Sequence, residues 1–297
     1  MAIKEVARTA LSSRPTATAL RYLTHDSPLG LDTRHRLYLR FGRKVRPRPD
    51  RWFVHTPSGG HEIRIAIQGL VRELYWVGEY ERDALPMFVE YARTARCVLD
   101  VGAAEGVYSL FAASVSSTST VIAVEPDSQQ IPRITANLGL NAAWLQGRVQ
   151  LVEAALADRS GTATFHEQLG NSSLNPGFRT DTVAREVRVE RGDDVVAELA
   201  GGRPVDLVKV DTESTEPDVL AGLMETLRRD RPVVFCEVLR GRTEARLQPI
   251  VDDLGYSTWW LSGDGPVRRD RIEGQPRFVN WLFLPDDRAP LVPPVGA

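Results

Sequence analysis

Three short stretches of this 297-residue chain combine acids, glycines and a lysine at spacings that could do chemistry. The first is Asp100-Val101-Gly102-Ala103-Ala104-Glu105-Gly106, which ends the apolar run Cys97-Val98-Leu99. The second is Glu125-Pro126, at the end of Val121-Ile122-Ala123-Val124. The third is Lys209-Val210-Asp211-Thr212-Glu213, closing a nearly continuous apolar run from Val205. An apolar run, a glycine-rich turn, a helix and a second run ending in an acid is how a βαβ unit grips a nucleoside. Gly102 would let backbone approach a ligand, and Gly106 would let the next helix pack against the strand.

Spacing and charge narrow the nucleoside. A dinucleotide turn reads GxGxxG and lays a pyrophosphate on the helix N-terminus. In this chain Ala104 takes the second glycine position, and Asp100 and Glu105 bring carboxylates to the turn. Acids repel a pyrophosphate and attract a cation such as the sulfonium and ammonium of S-adenosylmethionine. Glu125, about 20 residues past the turn, is placed to accept both ribose hydroxyls. The expected cofactor-binding set is Asp100, Gly102, Ala103, Glu105, Gly106, Glu125 and Pro126, with Ala154 just beyond the third strand. A strand and glycine turn that bind nothing is the plain alternative, and the acid at Glu125 argues against it.

The elements that must position these residues follow from apolar periodicity. Residues 52–56 and 62–67 read as a hairpin around Pro57-Ser58-Gly59-Gly60, and a helix near 82–94 leads into strand 97–101. Helix 105–116, strand 120–125, helix 127–138 and strand 149–152 complete the nucleoside half. Shorter alternation between 161 and 190 predicts extra antiparallel strands or a flap carrying His166 and Gly170-Asn171-Ser172-Ser173-Leu174, which either contact substrate or form a plain loop. Strand 205–211, a single helix from Thr215 burying Val219, Leu220, Leu223, Met224 and Leu227, strand 232–237 and helix 243–254 resume the α/β alternation. Residues 256–261 and 278–284 are expected to pair as an antiparallel edge. The resulting fold class is α/β and Rossmann-like: a seven-stranded, mostly parallel sheet with an antiparallel last strand, plus an N-terminal extension. The expected divisions are a basic extension at 1–50, a hairpin and helix at 51–95, a cofactor-binding domain at 96–285 and a tail at 286–297. Asp100, Glu125, Asp211 and Glu237 then rim one crevice outside the strand ends.

Composition sets further bounds. The net charge of −2 hides a balance of +8 over residues 1–51 and −10 over the rest. Ile3, Val6, Ala7, Ala10 and Leu11 follow helical amphipathic spacing, and a basic stretch runs from Arg34 to Arg51. This extension reads as folding back on the acidic main domain or on a second subunit of a homo-oligomer, with an anionic substrate or membrane surface and a transit peptide as alternatives. No run approaches the roughly 18 apolar residues of a membrane span, so stable membrane insertion is not expected. Cys97 and Cys236 lie in strand-like runs and are expected as buried free thiols, which suits a cytoplasmic setting. The five histidines lack paired ligand spacing, so no metal is expected, although Asp211 and Glu237 could offer oxygen ligands. Nothing has the aromatic and basic interleaving of a nucleic-acid module. Trp259, Trp260 and Trp281 fit an apolar or sugar-stacking pocket and ordinary core packing equally.

The segment Leu207-Val208-Lys209-Val210-Asp211-Thr212-Glu213-Ser214-Thr215-Glu216 resembles the signature hydrophobic-Lys-Ile-Asp-Val-Glu-Gly-Ala-Glu of FkbM-type S-adenosylmethionine-dependent methyltransferases. The Asp-Val-Gly-Ala turn, the Val-Glu-Pro strand end and the pair Asn137 and Asn141 resemble that family too, over about residues 75 to 285. The chain departs from the pattern at Ala104 and Glu105, where the family has Asn and an aliphatic residue, and at Ser214-Thr215, where it has Gly-Ala. The resemblance implies O-methylation of a hydroxyl on a polyketide, sugar or other secondary metabolite. Methyl transfer to oxygen is an in-line displacement whose acceleration comes mostly from alignment, and the hydroxyl must also lose a proton to a base within reach. Asp211 is the first candidate for that neighbourhood and Glu213 the second. Lys209 would orient a carboxylate or the acceptor oxygen, unless it lies on an outer face with its head in solvent. Glu216, in the first turn of a helix, is explained by the helix dipole. Two other classes stay open: a nicotinamide oxidoreductase, and a nucleoside-binding protein without turnover.

Overall fold

The computed structural model describes residues 14–45, 52–69, 71–168, 172–175 and 182–291. The expected helix of Ile3 to Leu11, the end of the basic stretch at 46–51, Gly170-Asn171 and the last residues of the tail lie outside the described residues. The chain divides into two compact units, residues 1–55 with 64–81 and residues 56–63 with 82–297.

The N-terminal unit contains the helices Arg14–Arg21, Leu31–Arg40 and Arg72–Val77 and a two-stranded ribbon of β1 (Trp52–His55) and β2 (Ile63–Ala66). Leu20, Tyr38, Val45, Trp76 and Val77 form its small core. Part of its basic character is structural. The Arg72 guanidinium donates to the carbonyls of Gly42 and Val45 at 2.8 and 2.6 Å, satisfying groups that a short helical turn leaves open.

The second unit is built on a sheet whose central strands are apolar on both faces. Its strands in chain order are β3 (Cys97–Val101), β4 (Thr120–Val124), β5 (Val149–Val152), β6 (Ala155–Ala157), β7 (Gly161–Glu167), β8 (Val183–Arg191), β9 (Leu207–Val210), β10 (Val233–Glu237), β11 (Tyr256–Ser262), β12 (Gly265–Arg269) and β13 (Asn280–Pro285). Eight of them form one sheet in the order β12-β11-β13-β10-β9-β3-β4-β5. β5, β4, β3, β9 and β10 run parallel, and β13 runs antiparallel to both neighbours. Every residue of β3 and β9 is buried, as strands covered by helices on both faces must be. The order reverses between β3 and β9, which opens a crevice at their C-terminal ends.

The expected architecture is present with three differences. β13 inserts between β10 and β11, so the edge belongs to an eighth strand, β12. Its sequence, Gly-Pro-Val-Arg-Arg, lacks apolar alternation, and Pro266, with no N–H to donate, suits an edge. The flap is real but is a separate three-stranded sheet in the order β6-β8-β7, with the unforeseen β6 parallel to β8. The helix from Thr215 is broken at Leu223 into Glu216–Gly222 and Met224–Asp230. Gly222 abuts β6 so closely that a Cβ there would overlap the Ala157 carbonyl. Among the described residues no helix is long and apolar enough to cross a membrane. Both cysteines are free and buried, and burial pushes the Cys97 thiol up to about 12.

The contact of Gly222 with Ala157 has a measurable consequence. Gly222→Ala gains a little helix propensity but must displace backbone, so it should destabilise by about 1–3 kcal/mol. Denaturant midpoints at constant slope measure this, and a stabilised variant would mean that β6 is not seated on the helix.

Candidate active site

At the end of β3, Asp100 is buried and accepts a 2.6 Å hydrogen bond from the Ser109 hydroxyl. Burial pushes its carboxyl up to about 6. The turn that follows is closed by the amides of Gly102 and Ala103, both 3.0 Å from the Val124 carbonyl. Gly102 has φ +79°, and a Cβ there would collide with the carbonyl of Asp211 at the end of β9. The glycine expected to admit a ligand therefore admits the neighbouring chain. Gly106 serves helix-to-helix packing rather than the expected helix-to-strand packing, since its Cβ would lie 2.8 Å from Ile134.

Glu105 turns toward the helix Ile131–Leu140. Its carboxylate meets the Arg133 guanidinium at 3.0 Å, and its carbonyl accepts from the Asn137 amide at 2.8 Å. Asn141 donates in turn to the Asn137 carbonyl at 2.7 Å, so the two asparagines pin the turn to the helix. The charge of Glu105 is thus answered within the protein.

Glu125, just past β4, is buried and aimed back at the turn. One carboxylate oxygen accepts from the Ala104 amide at 2.7 Å and the other from the Asp127 amide at 2.8 Å. Burial pushes the carboxyl up to about 8, outweighing the two amide bonds that favour its charged form. Each oxygen keeps a further lone pair, so a vicinal diol finds two fixed acceptors. Pro126 is part-buried, Ala103 and Ala154 are buried, and Ala154 ends the two-residue link from β5 to β6. Asp127 accepts from the Gln129 amide at 2.7 Å and the Ser172 hydroxyl at 2.6 Å. The buried diol-sized acceptor and tight turn fit an adenosine-bearing cofactor.

On β9 the register sets Lys209 beside Asp100. The Lys209 side chain is 2% exposed, which overturns the outer-face alternative. Its ammonium lies 3.0 Å from Asp211 Oδ2 and 3.4 Å from Asn280 Oδ1, and 5.1 Å over the Tyr108 ring. The Asn280 amide donates to Asp83 Oδ2 at 3.3 Å. Beyond Asp211 the chain passes through Glu213 (φ +56°) and Ser214 (φ +86°), both left-handed. Glu216 Oε1 accepts from the Thr212 and Ser214 amides at 3.1 and 3.0 Å, so the acid read as a dipole partner is a clamp on this turn. Burial pushes Glu216 up to about 7. Ser173 of the flap adds a 2.6 Å bond to the Glu213 carbonyl. Asp83, Tyr108, Ser109, Asp127 and Asn280 escape sequence reading because each acts through a tertiary contact with no local spacing signal. No cluster of three or more metal-ligating side chains occurs among the described residues.

A mostly parallel sheet with a reversed strand, β13, inserted beside β10, a glycine turn after its first central strand and an acid after the second defines a Rossmann-like methyltransferase. The chain belongs to the FkbM methyltransferase domain family, which matches residues 100–257, and its cofactor is S-adenosylmethionine. It is 26% identical over 323 residues to the AMB antimetabolite synthetase AmbE of Pseudomonas aeruginosa, covering 94% of this chain and 15% of that protein. It is 26% identical over 151 residues to the 2-O-methyltransferase NoeI of Sinorhizobium fredii, covering 45% of this chain and 60% of that one. Identity to the methyltransferase sdnD of Sordaria araneosa is 28% over 207 residues, covering 60% and 77%. The chain therefore spans less than two thirds of the length of the first two.

Two outcomes follow from this geometry. Ser214 holds a left-handed backbone with a buried hydroxyl that has no partner among the described residues. Ser214→Gly should therefore stabilise by about 1 kcal/mol in equilibrium unfolding, and a loss would show that the serine is bonded after all. Glu125 is raised from 4.5 to about 8, and Asp100 and Glu216 are raised as well. The folded chain then binds more protons than the unfolded chain across that window, so stability falls as pH rises from about 5 to 8. Unfolding midpoints should show this slope, and Glu125→Gln should flatten it; an unchanged slope counts against the buried carboxyl.

Proposed function

We propose that the chain methylates a hydroxyl oxygen of a small molecule, a polyketide, sugar or other secondary metabolite, by in-line displacement. The observation that carries this is the pairing of two fixed groups at the ends of the strands that flank β3: Glu125 after β4, bonded to the β3 turn, and Asp211 after β9, held by buried Lys209. Bound S-adenosylmethionine supplies an electrophilic methyl group on a sulfonium. Glu125 would hold the ribose hydroxyls, with Gly102, Ala103, Gly106, Pro126 and Ala154 shaping the pocket and Asp100 adding negative charge beneath it. Glu105 contributes by fixing the turn through Arg133. On the acceptor side, Lys209 fixes Asp211, whose side chain is 29% exposed and so reaches an incoming hydroxyl. Glu213 lies two residues further along the same strained turn. Alignment is the main contribution such a site can make. The names of two relatives, a 2-O-methyltransferase and an antimetabolite synthetase, support oxygen as the acceptor and a small metabolite as the product class.

Calorimetric titration with S-adenosylmethionine, S-adenosylhomocysteine and NAD should show binding of the first two and none tighter by NAD. Glu125→Gln, which replaces one acceptor oxygen by an NH2 donor, should weaken the first two about tenfold or more, the worth of roughly 1–3 kcal/mol for a buried hydrogen-bonding group left unmatched. Labelled methyl should then pass to at least one member of a panel of hydroxylated acceptors. Tighter NAD binding, or cofactor binding with no transfer to any such acceptor, sinks the reading.

A further inference from the structure

Lys209 commits its ammonium to Asp211, just past β9, and to Asn280 on β13, reaching across β10. Glu237 ends the strand between them. Its Cα partner on β13 is Asn280, and Cys236 pairs with Val210, so Glu237 stands beside Asp211 at the crevice edge. It also shares a sheet face with Lys209 through Phe235, two residues earlier and paired with Lys209. Glu237 Oε2 is shut from solvent and has no hydrogen-bond partner among the described residues, and the same holds for Glu216 Oε2. A shut-off carboxylate oxygen with no donor is costly unless it carries a proton or meets a ligand.

We propose that Glu237 is the proton acceptor of the methyl transfer and that the arriving cationic cofactor ionises it. The inference rests on the O-methyltransferase reading above. Asp211 is the poorer acceptor because a proton would have to compete with the Lys209 ammonium already on its carboxylate. The charged groups facing Glu237 are Asp211 and Lys209 from β9, Glu213 from the turn and Glu216 from the following helix. Burial, then the three acids in that order, push Glu237 well above the usual carboxylate range, and Lys209 only partly offsets them. In the free protein burial and these acids therefore favour the protonated form of Glu237. A sulfonium placed at the same strand ends favours its anion, and the displaced proton leaves to solvent. As the acceptor oxygen gains the methyl carbon, its O–H bond breaks and the proton passes to Glu237. The S–C bond breaks with its electron pair kept on sulfur as a neutral thioether. The positive charge that ionised Glu237 is then gone, so the residue retains its proton and the cycle closes.

The test uses the full chain and needs no known acceptor. Titrations with S-adenosylmethionine and with S-adenosylhomocysteine, in buffers of different ionisation enthalpy at pH 7, measure protons released on binding. We expect release approaching about one proton for the sulfonium and much less for the thioether, by linkage to a single raised carboxyl. In Glu237→Gln the difference should vanish while affinity for the thioether stays within a fewfold of the parent; Glu237→Asp should restore part of it. An equal release by both ligands, or an undiminished difference in Glu237→Gln, overturns the proposal and leaves the methyltransferase reading standing. Failure of both ligands to bind the parent chain overturns that reading and the proposal with it. With an acceptor from the labelled-methyl panel, Glu237→Gln should lower kcat by about a hundred- to ten-thousandfold, whereas Asp211→Asn should act chiefly on KM.

Discussion

The carbonyl of Asp211 occupies the space in which residue 102 would carry a Cβ, and this contact fixes the distance between the two halves of the site. A backbone-to-backbone approach cannot relax as a side-chain contact can, because peptide planes and strand spacing are stiff. The turn after β3 and the turn after β9 therefore form one rigid seam. Glu125 is tied to it through the Ala104 amide, and the flap through Ser173 and Glu213. Ser172, next to Ser173, bonds Asp127 on the cofactor side. A single short segment of the flap thus bonds the turn after β9 and the residue that follows Glu125-Pro126, which ties the two strand ends together.

Electrostatics follows from the same seam. Parallel strands bring Asp100, Asp211 and Glu237 to one end of the sheet, and gathering carboxylates there, one buried and two half-buried, is costly without compensation. The chain compensates in two ways. Lys209 places one ammonium among them, and the Tyr108 ring below it adds a favourable face for a cation. Burial raises the proton affinity of Asp100 to about 6 and of Glu125 to about 8, which reduces the charge that the crevice must carry. Carboxyls raised in this way ionise more readily when a cation arrives beside them, which suits a sulfonium ligand.

What the sequence made legible was backbone chemistry. Only particular residue types tolerate the turn after β3 or end a buried strand in an acid, so Asp100, Gly102, Glu125 and Asp211 could be placed in order before any contact was known. The central five strands were equally legible, because strands buried on both faces are written as unbroken apolar runs. Side-chain direction was not legible. Glu105 and Glu216 look like ligand and dipole partners by spacing, yet one meets Arg133 and the other clamps a turn, since each points along a tertiary vector that spacing does not encode. β12 was missed because an exposed edge strand needs no apolar face. Asn280 and Asp83, 197 residues apart, meet only because β13 inserts beside β10.

The departures from the FkbM pattern at Ala104 and Ser214 gain meaning from their backbone angles. Both residues sit at positive φ, where the family's Asn and Gly are at ease and a residue with a plain Cβ is strained. The turns nevertheless keep their shape, so other bonds must supply what the residue type does not. At 104 that bond is the amide to Glu125, the group expected to hold the cofactor. At 214 it is the amide to Glu216, reinforced by the flap through Ser173. Strain that survives only because surrounding hydrogen bonds over-determine it is found where geometry matters to function. Without the Asn and Gly of the family pattern, the two left-handed turns are held by hydrogen bonds, and those bonds fix Glu125 and Glu216 at the crevice.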